Sequence, residues 1–181
     1  MRHVADSSIT RFKLAMSFEY GGKTPVDKWL KFVVKNKVKE LDLRLRPWYD
    51  KRRDFYYYLP KTVLRAQSLT LLKLDGLKIK GNFQVGLPSL KLLFLIRVSG
   101  LNDHALEDLL AKCPSLKTMV LKTCANLSTP QVCSSSLKSS EVELVTNQNI
   151  KIEAINLHSL DIMTSDETCE IMTFMDLPSR A

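Results

Sequence analysis

One short apolar phrase recurs along this chain and constrains its fold more than any other feature. Aliphatic or aromatic side chains hold the first, fourth and sixth positions of the phrase, as Val38, Leu41 and Leu43 do. The fourth position falls at residues 12, 41, 72, 93, 119, 140 and 160, at intervals of 20 to 31 residues. The copy around Ser140 is the weakest, because a polar residue holds that position. Seven copies at this spacing predict a chain built from structural repeats.

Each phrase is typical of one short strand. Residues alternate between the two faces of a strand, so Leu41 and Leu43 point to one side and Asp42 to the other. A single repeat cannot bury its own leucines, and repeats therefore stack on a shared core. Repeats of about 20–29 residues that each contain one short strand are typical of leucine-rich-repeat proteins. We predict an α/β leucine-rich-repeat solenoid, with a curved parallel sheet on the concave side and helices and irregular returns on the convex side.

The phrases also predict the domain boundaries and the return segments. Residues 1–165 are expected to form one leucine-rich-repeat domain of about seven irregular repeats. Residues 166–181 contain no further phrase and are expected to form a C-terminal cap or a loose tail. Pro25 predicts the start of one helix, and Asn102 is suited to cap a second over 102–112. The returns at 76–88 and 124–136 are rich in turn-forming residues and are predicted to be irregular.

Apolar runs and cysteines exclude several other classes of protein. No run reaches the roughly 18 apolar residues that a bilayer span needs, and the N-terminal residues lack the apolar core of a secretory signal. We therefore expect a cytoplasmic or nuclear protein without membrane contact. The four cysteines are separated by 11, 9 and 36 residues, which matches no zinc or redox spacing. They are interpreted as buried or idle thiols (Cys113, Cys124, Cys133 and Cys169), and no metal or cofactor is expected.

The net charge of +8 is unevenly distributed. Residues 1–80 carry +11 and residues 81–181 carry −3, and a basic half can attract nucleic acid. An aromatic run at Tyr49 and 55–58, mixed with basic residues, would fit base stacking. Solvated helix faces and packing of the aromatics between repeats explain the same residues more simply. Nucleic-acid binding is therefore the least favoured alternative.

The polar residues give little support for catalysis. His104 falls at the start of a predicted helix, and His158 has Asp161 three residues on but no nucleophile beside it. The sequence contains no phosphate-binding loop, nucleophile elbow or metal motif. We predict that the protein is not an enzyme and assign no catalytic residue.

Several longer segments resemble the repeats of plant F-box/LRR-repeat proteins. They are SSITRFKLAMSFEYGGKTPVDKWLKFVVKNKVKELDL at 7–43, LPSLKLLFL at 87–95, LNDHALEDLLAKCPSLKTMVLKTCANL at 101–127 and IEAINLHSLDI at 152–162. The resemblance covers about residues 7–165. It implies a protein-binding scaffold similar to the substrate-recognition region of a ubiquitin-ligase receptor, in which an F-box docks on the ligase adaptor and the repeats hold the target.

Only six residues precede the stretch at 7–43. We therefore expect this chain to lack an F-box of its own, and to meet the ligase adaptor only if an F-box is supplied elsewhere. The alternative is a stand-alone or truncated interaction module that competes with F-box relatives for the same target.

The concave face is where the target of such a scaffold is expected to bind. Three rows of residues cross the predicted sheet there, at the positions just before, between and just after the last two apolar positions of each phrase. Apolar residues gather in the middle repeats of these rows, with charged residues on both sides. The predicted protein-binding residues are Leu71, Lys73, Asp75, Leu92, Phe94, Ile96, Val120 and Lys122. The alternative is that the chain covers this patch itself, with a loop or with its N-terminal segment.

Overall fold

A computed structural model gives the structure of the protein and describes residues 9–18, 25–47, 56–80, 84–145, 148–164 and 167–173. The seven repeat phrases form seven strands of one parallel sheet, in the order of the chain. These strands are β1 (Arg11–Phe18), β2 (Glu40–Pro47), β3 (Leu71–Asp75), β4 (Leu92–Ile96), β5 (Thr118–Lys122), β7 (Ser139–Leu144) and β9 (Ser159–Thr164).

A second, three-stranded parallel sheet lies in the C-terminal returns. It pairs β6 (Gln131–Cys133) with β8 (Ile150–Glu153), and β8 with β10 (Ile171–Thr173). The return at 124–136, predicted to be irregular, thus contains a short strand. The return at 76–88, also predicted to be irregular, is irregular where it is described, with single bridges linking Lys78 to Tyr58 and to Ser99.

Within the described ranges, two helices lie in the returns, close to where the sequence predicts them. Helix α1 (Val26–Lys35) follows Pro25, and helix α2 (Asp103–Ala111) follows Asn102. The Asn102 side chain accepts a hydrogen bond from the backbone N–H of Ala105 at 2.9 Å, as an N-cap residue should. Each helix buries one apolar face. The buried residues are Val26, Leu30 and Val33 in α1 and Leu106, Leu109 and Leu110 in α2. A 3₁₀ turn at Val63–Arg65 lies between β2 and β3.

The strand register places the same position of every phrase side by side. Phe12 pairs with Leu41, and the row continues through Leu72, Leu93, Met119, Ser140 and Leu160. All side chains from Leu41 to Ser140 in this row are fully buried, whereas those of Phe12 and Leu160 at the two ends are only partly buried. The core is therefore one continuous apolar column, as the repeat pattern predicts, and it is most open at its two ends. The fold is an α/β leucine-rich-repeat solenoid with an open sheet.

The weak repeat phrase joins the same column. Ser140 is fully buried, and among the described residues its hydroxyl has no hydrogen-bond partner. A buried unpaired hydroxyl costs free energy relative to an apolar side chain of similar size. The fold accepts this cost because Val142 and Leu144 on the same strand remain in the core.

The buried amide of Gln148 links two backbone segments of the C-terminal repeats, the turn at 124–127 and the segment after β7. Its Oε1 accepts from the N–H of Val145 at 2.9 Å, and its Nε2 donates to the carbonyls of Cys124 and Leu127 at 2.8 and 2.7 Å. The side chain is only 4% exposed. Turn carbonyls that would otherwise be buried without partners are satisfied in this way.

Two cysteines belong to the core, and this gives a chemical test of the fold. Burial raises the pKa of Cys113 to about 12 and that of Cys124 to about 11, so neither thiol forms a reactive thiolate near pH 8. Cys133 is exposed on β6. A water-soluble disulfide reagent at pH 8 is expected to label Cys113 and Cys124 only after denaturant is added, as mass spectrometry of the labelled peptides would report. Labelling of either residue in the native protein would contradict the buried placement.

The C-terminal segment is described only in part. Residues Ile171–Thr173 form β10 against β8, and Ile171 and Met172 remain exposed. Residues 174–181 lie outside the described part of the chain. Whether 166–181 act as a cap or as a loose tail therefore stays a prediction. Among the described residues, no helix is long and apolar enough to cross a membrane.

Candidate protein-binding face

The seven-stranded sheet has one face on the core and one face, here called the open face, on the opposite side. Strand pairing confirms the three rows predicted from the sequence for this face. The first row is Arg11, Glu40, Leu71, Leu92, Thr118, Ser139 and Ser159. The second row is Lys13, Asp42, Lys73, Phe94, Val120, Glu141 and Asp161. The third row is Ala15, Arg44, Asp75, Ile96, Lys122, Glu143 and Met163.

Four large apolar side chains gather on the open face of β3 and β4, in the middle of the sheet. We call Leu71, Leu92, Phe94 and Ile96 the apolar strip. Each is only partly buried, in contrast to the fully buried leucines that alternate with them on β3 and β4. The amine of Lys73 lies over the Phe94 ring, 5.3 Å from its centroid. In this cation–π interaction, the partial negative charge on the face of the ring attracts the ammonium group and stabilises this position of the lysine side chain.

Two of the predicted binding residues are buried and do not offer their side chains to a partner. Asp75 is 4% exposed, and its two carboxylate oxygens accept from Nη2 of Arg97 at 2.5 and 2.7 Å. Arg97 has a backbone φ of 50°, a left-handed conformation, directly after β4. The ion pair takes the carboxylate out of solvent and leaves the guanidinium, whose side chain is 45% exposed, at the surface.

Val120 is the second such residue, at 7% exposed. It is a short side chain that stands in its row between Phe94 and Glu141, and an ion pair joins Lys122 to Glu141 beside it. Longer neighbours therefore cover it. Lys73 and Lys122 are partly exposed, so six of the eight predicted residues remain accessible on the open face.

A groove of about 240 Å³ borders the apolar strip on the side of β1 and β2. Its lining residues are Arg11, Lys13, Glu40, Asp42, Leu71, Lys73 and Phe94. Ion pairs neutralise the two carboxylates of the groove, with Arg11 on Glu40 and with Arg44 on Asp42 at 3.2 Å. The repeat pattern does not predict this groove, because the groove depends on the length of neighbouring side chains as well as on their order along the rows.

The opposite side of the strip is acidic. Glu141 pairs with Lys122, and Glu143 accepts a hydrogen bond from the hydroxyl of Thr123 at 3.1 Å. Asp161 is exposed on β9. Polar and charged residues thus frame the apolar strip on both sides, as the row pattern predicts.

The alternative that the chain covers its own strip is tested only in part. The described end of the return before β4 packs away from the open face, since Leu87 and Leu90 are buried in the core and the N–H of Gly86 donates to the carbonyl of Leu64. Residues 1–8 lie outside the described part of the chain, and coverage by that segment stays a prediction.

The aromatic run divides into two environments. Tyr57 packs against the core, and its hydroxyl donates to the carboxylate of Asp27 on α1 at 2.5 Å, which supports the packing interpretation for this residue. Tyr58 is exposed, with the amines of Lys78 and Lys80 at 5.8 and 5.1 Å from its ring centroid. Tyr49 and Phe55 lie outside the described residues. In the described part of the chain, no group of three or more His, Cys, Asp and Glu side chains is placed to hold a metal ion.

The repeated strands, the apolar column and the open face define a leucine-rich-repeat protein, a class whose curved sheets serve as binding surfaces. The chain belongs more narrowly to the family described as FBD-associated F-box protein At5g56370, LRR repeats, whose model matches residues 26–174. This confirms the resemblance drawn from the repeat segments. No solved structure matches the chain.

Curated relatives from Arabidopsis thaliana are similar over parts of the chain. F-box/LRR-repeat protein 13 is 32% identical over 114 residues, which cover 62% of this chain and 24% of the relative. F-box/FBD/LRR-repeat protein At1g78750 is 34% identical over 94 residues, which cover 52% of this chain and 20% of the relative. FBD-associated F-box protein At5g44490 is 28% identical over 140 residues, which cover 75% of this chain and 28% of the relative. The chain spans about a quarter of the length of the curated relatives it matches.

Proposed function

We propose that this chain holds a target protein on its open face and that the apolar strip is the centre of the contact. The observation that carries the proposal is the strip itself, four partly exposed apolar side chains in register on β3 and β4, framed by charged residues. Apolar centres with polar rims are characteristic of protein–protein contact sites. Lys73 and Lys122 belong to the rim. Asp75 and Val120 support the surface from below.

The names of the relatives support a more specific role. F-box proteins bring substrates to cullin-based ubiquitin ligases, and two of the matched relatives carry both an F-box and leucine-rich repeats in their names. We propose that this chain corresponds to the substrate-recognition region of such a receptor and works in the cytoplasm or nucleus. Ligase docking would come from an F-box, whether in the same protein or supplied by another.

A stand-alone module that competes with F-box relatives is the alternative. Both proteins would bind the same target, but only the receptor would bring the ligase adaptor and cullin with it. Affinity purification from plant extract with this chain as bait, followed by mass spectrometry, separates the two. Adaptor and cullin peptides in the purified material support the receptor, and a target without them supports the competing module.

The double substitution Phe94→Ser and Ile96→Ser is expected to remove target binding and to leave the fold in place. Both side chains are only partly buried, and truncating a hot-spot side chain at the centre of an interface costs about 2 kcal/mol or more of binding free energy. We expect capture of the target to fall at least about tenfold, since about 1.4 kcal/mol corresponds to a factor of ten. Quantitative mass spectrometry after the same purification measures this loss.

Ile155→Ser is the matched control. Ile155 is an apolar residue that is 64% exposed and lies in the turn between β8 and β9, outside the three rows of the open face. Its replacement is expected to leave capture unchanged. Circular dichroism of all three proteins reports whether they are folded. If the double variant is folded and captures the target as well as the unmodified chain does, the strip is not the contact site.

A further inference from the structure

The charges of the open face that are not neutralised within the sheet are separated across the apolar strip. On the side of β1 to β3, the carboxylates of Glu40, Asp42 and Asp75 are all held by arginines. Lys13 and Lys73 have no ion-pair partner among the described residues, and both line the groove beside the strip. This side therefore presents free amines next to apolar walls.

The side of β7 and β9 presents the opposite charge. Among the described residues, the three open-face rows of β5, β7 and β9 contain one cation, Lys122 on β5, which pairs with Glu141. Glu143 faces the hydroxyl of Thr123, and Asp161 is exposed without an ion pair within the described part of the chain. Two carboxylates thus remain available at this end of the face.

We infer that the target docks as an extended segment that crosses the strands, with an acidic side chain over Lys13 and Lys73, a large apolar side chain on the strip, and a basic side chain near Glu143 and Asp161. This inference rests on the proposed function and adds the chemistry and order of the partner's residues. The groove holds the acidic side, because the two amines provide the charge there while Leu71 and Phe94 form an apolar wall on one flank. Charge complementarity of this kind favours one orientation of the partner and disfavours its reverse.

Strand spacing converts this order into a distance along the partner. Neighbouring strands lie about 4.8 Å apart, and an extended chain advances about 3.3 Å per residue. Lys13 and Lys73 flank Asp42 in their row, so a carboxylate between them stands about two strands, or about 10 Å, from Phe94. Glu143 and Asp161 stand two and three strands from the strip on the other side. The acidic residue is therefore expected about three residues from the apolar one, and the basic residue about three or four residues beyond it.

Selection from a displayed library of random twelve-residue peptides tests the inference with this chain as the immobilised protein. The enriched peptides are expected to carry an acidic residue, a large apolar residue and a basic residue in that order, in one chain direction, at the stated spacing. Peptides that bind the strip must also lose binding to the Phe94→Ser, Ile96→Ser variant.

Charge-reversal variants provide the sharper comparison. Lys13→Glu and Asp161→Lys change exposed side chains that make no ion pair among the described residues, so the fold should be unaffected. Selection on Lys13→Glu is expected to remove the preference for an acidic residue at that position of the peptides, because the new carboxylate offsets the charge of Lys73. Asp161→Lys is expected to remove the preference for a basic residue at the other end, because the new amine offsets the charge of Glu143. For one synthetic peptide enriched on the unmodified chain, each reversal is expected to weaken binding about fivefold, as exposed ion pairs contribute up to about 1 kcal/mol.

The outcomes separate this inference from the proposed function. Enriched peptides that depend on Phe94 and Ile96 but show no charge order, or keep their order on the reversed variants, overturn the inference and leave the strip as a binding site. Absence of enrichment, or enrichment that the Phe94→Ser, Ile96→Ser variant retains, counts against both. Loss of the acidic position on Lys13→Glu and of the basic position on Asp161→Lys, with the rest of the order kept, supports both.

Discussion

Gly100→Ala is expected to lower the free energy of unfolding by about 3 kcal/mol or more. Gly100 has a φ of +79°, and a Cβ added there would meet the backbone carbonyl oxygen of Ile79 at 2.1 Å. A residue other than glycine in the left-handed region costs about 1–2 kcal/mol, and forced overlap in a packed region adds typically about 1–3 kcal/mol. Backbone atoms cannot move aside as a flexible side chain can.

The clash falls where two neighbouring repeats meet. The N–H of Ile79 donates to the carbonyl of Ser99, the N–H of Ser99 donates to the carbonyl of Leu77, and the N–H of Gly100 donates to Oδ1 of Asn126. A methyl group at Gly100 would push these returns apart and weaken the hydrogen bonds between three successive repeats. Urea denaturation followed by far-UV circular dichroism measures the loss.

Gly86→Ala is the matched control, because a Cβ there would have no atom within 4 Å. Its stability is expected to change by less than about 1 kcal/mol, with a small gain favoured since alanine reduces the freedom of the unfolded chain. Equal effects of the two substitutions would show that the returns around Gly100 are not packed as described.

The repeat register could be predicted from the sequence, because two simple periodicities determine it. Alternation in a strand decides which face receives each residue, and stacking of repeats aligns equal positions of successive phrases. The row through Lys73, Phe94 and Val120 follows from those rules alone, without any knowledge of contacts. Helix α2 could be predicted from the sequence equally well, because Asn102 and the apolar spacing after it are local signals.

The exposure of individual side chains on the open face could not be predicted in this way. Asp75 is buried because Arg97, 22 residues later and in a left-handed backbone conformation, reaches back to it. Val120 is covered because its neighbours in the row are longer. The second sheet was missed for a related reason, since β6, β8 and β10 are only three or four residues long and pair across repeats. Contacts of this kind depend on side-chain size and on partners distant in sequence.

Leu72→Ala is expected to lower the free energy of unfolding by about 2–5 kcal/mol, the range for removing a fully buried leucine side chain. Leu72 is 0% exposed and lies on β3 in the middle of the leucine column, with Leu41 and Leu93 beside it in the register. Neighbours on both sides are fixed by their own strands, so the cavity cannot close by collapse. The free energy of unfolding in urea, measured by circular dichroism, reports the effect.

Leu160→Ala provides the comparison, since Leu160 holds the same position of the last phrase. It pairs with Ser140 on one side only and is partly exposed, because β9 is the edge of the sheet. The substitution at Leu160 removes less buried apolar surface. The free energy of unfolding is therefore expected to fall by about half as much as in Leu72→Ala, or by less. If the two substitutions are instead equally costly, a segment beyond β9 must cover Leu160 in solution. Residues 166–181 would then act as a cap on the column, and deleting them should reduce the cost of Leu160→Ala while leaving that of Leu72→Ala unchanged.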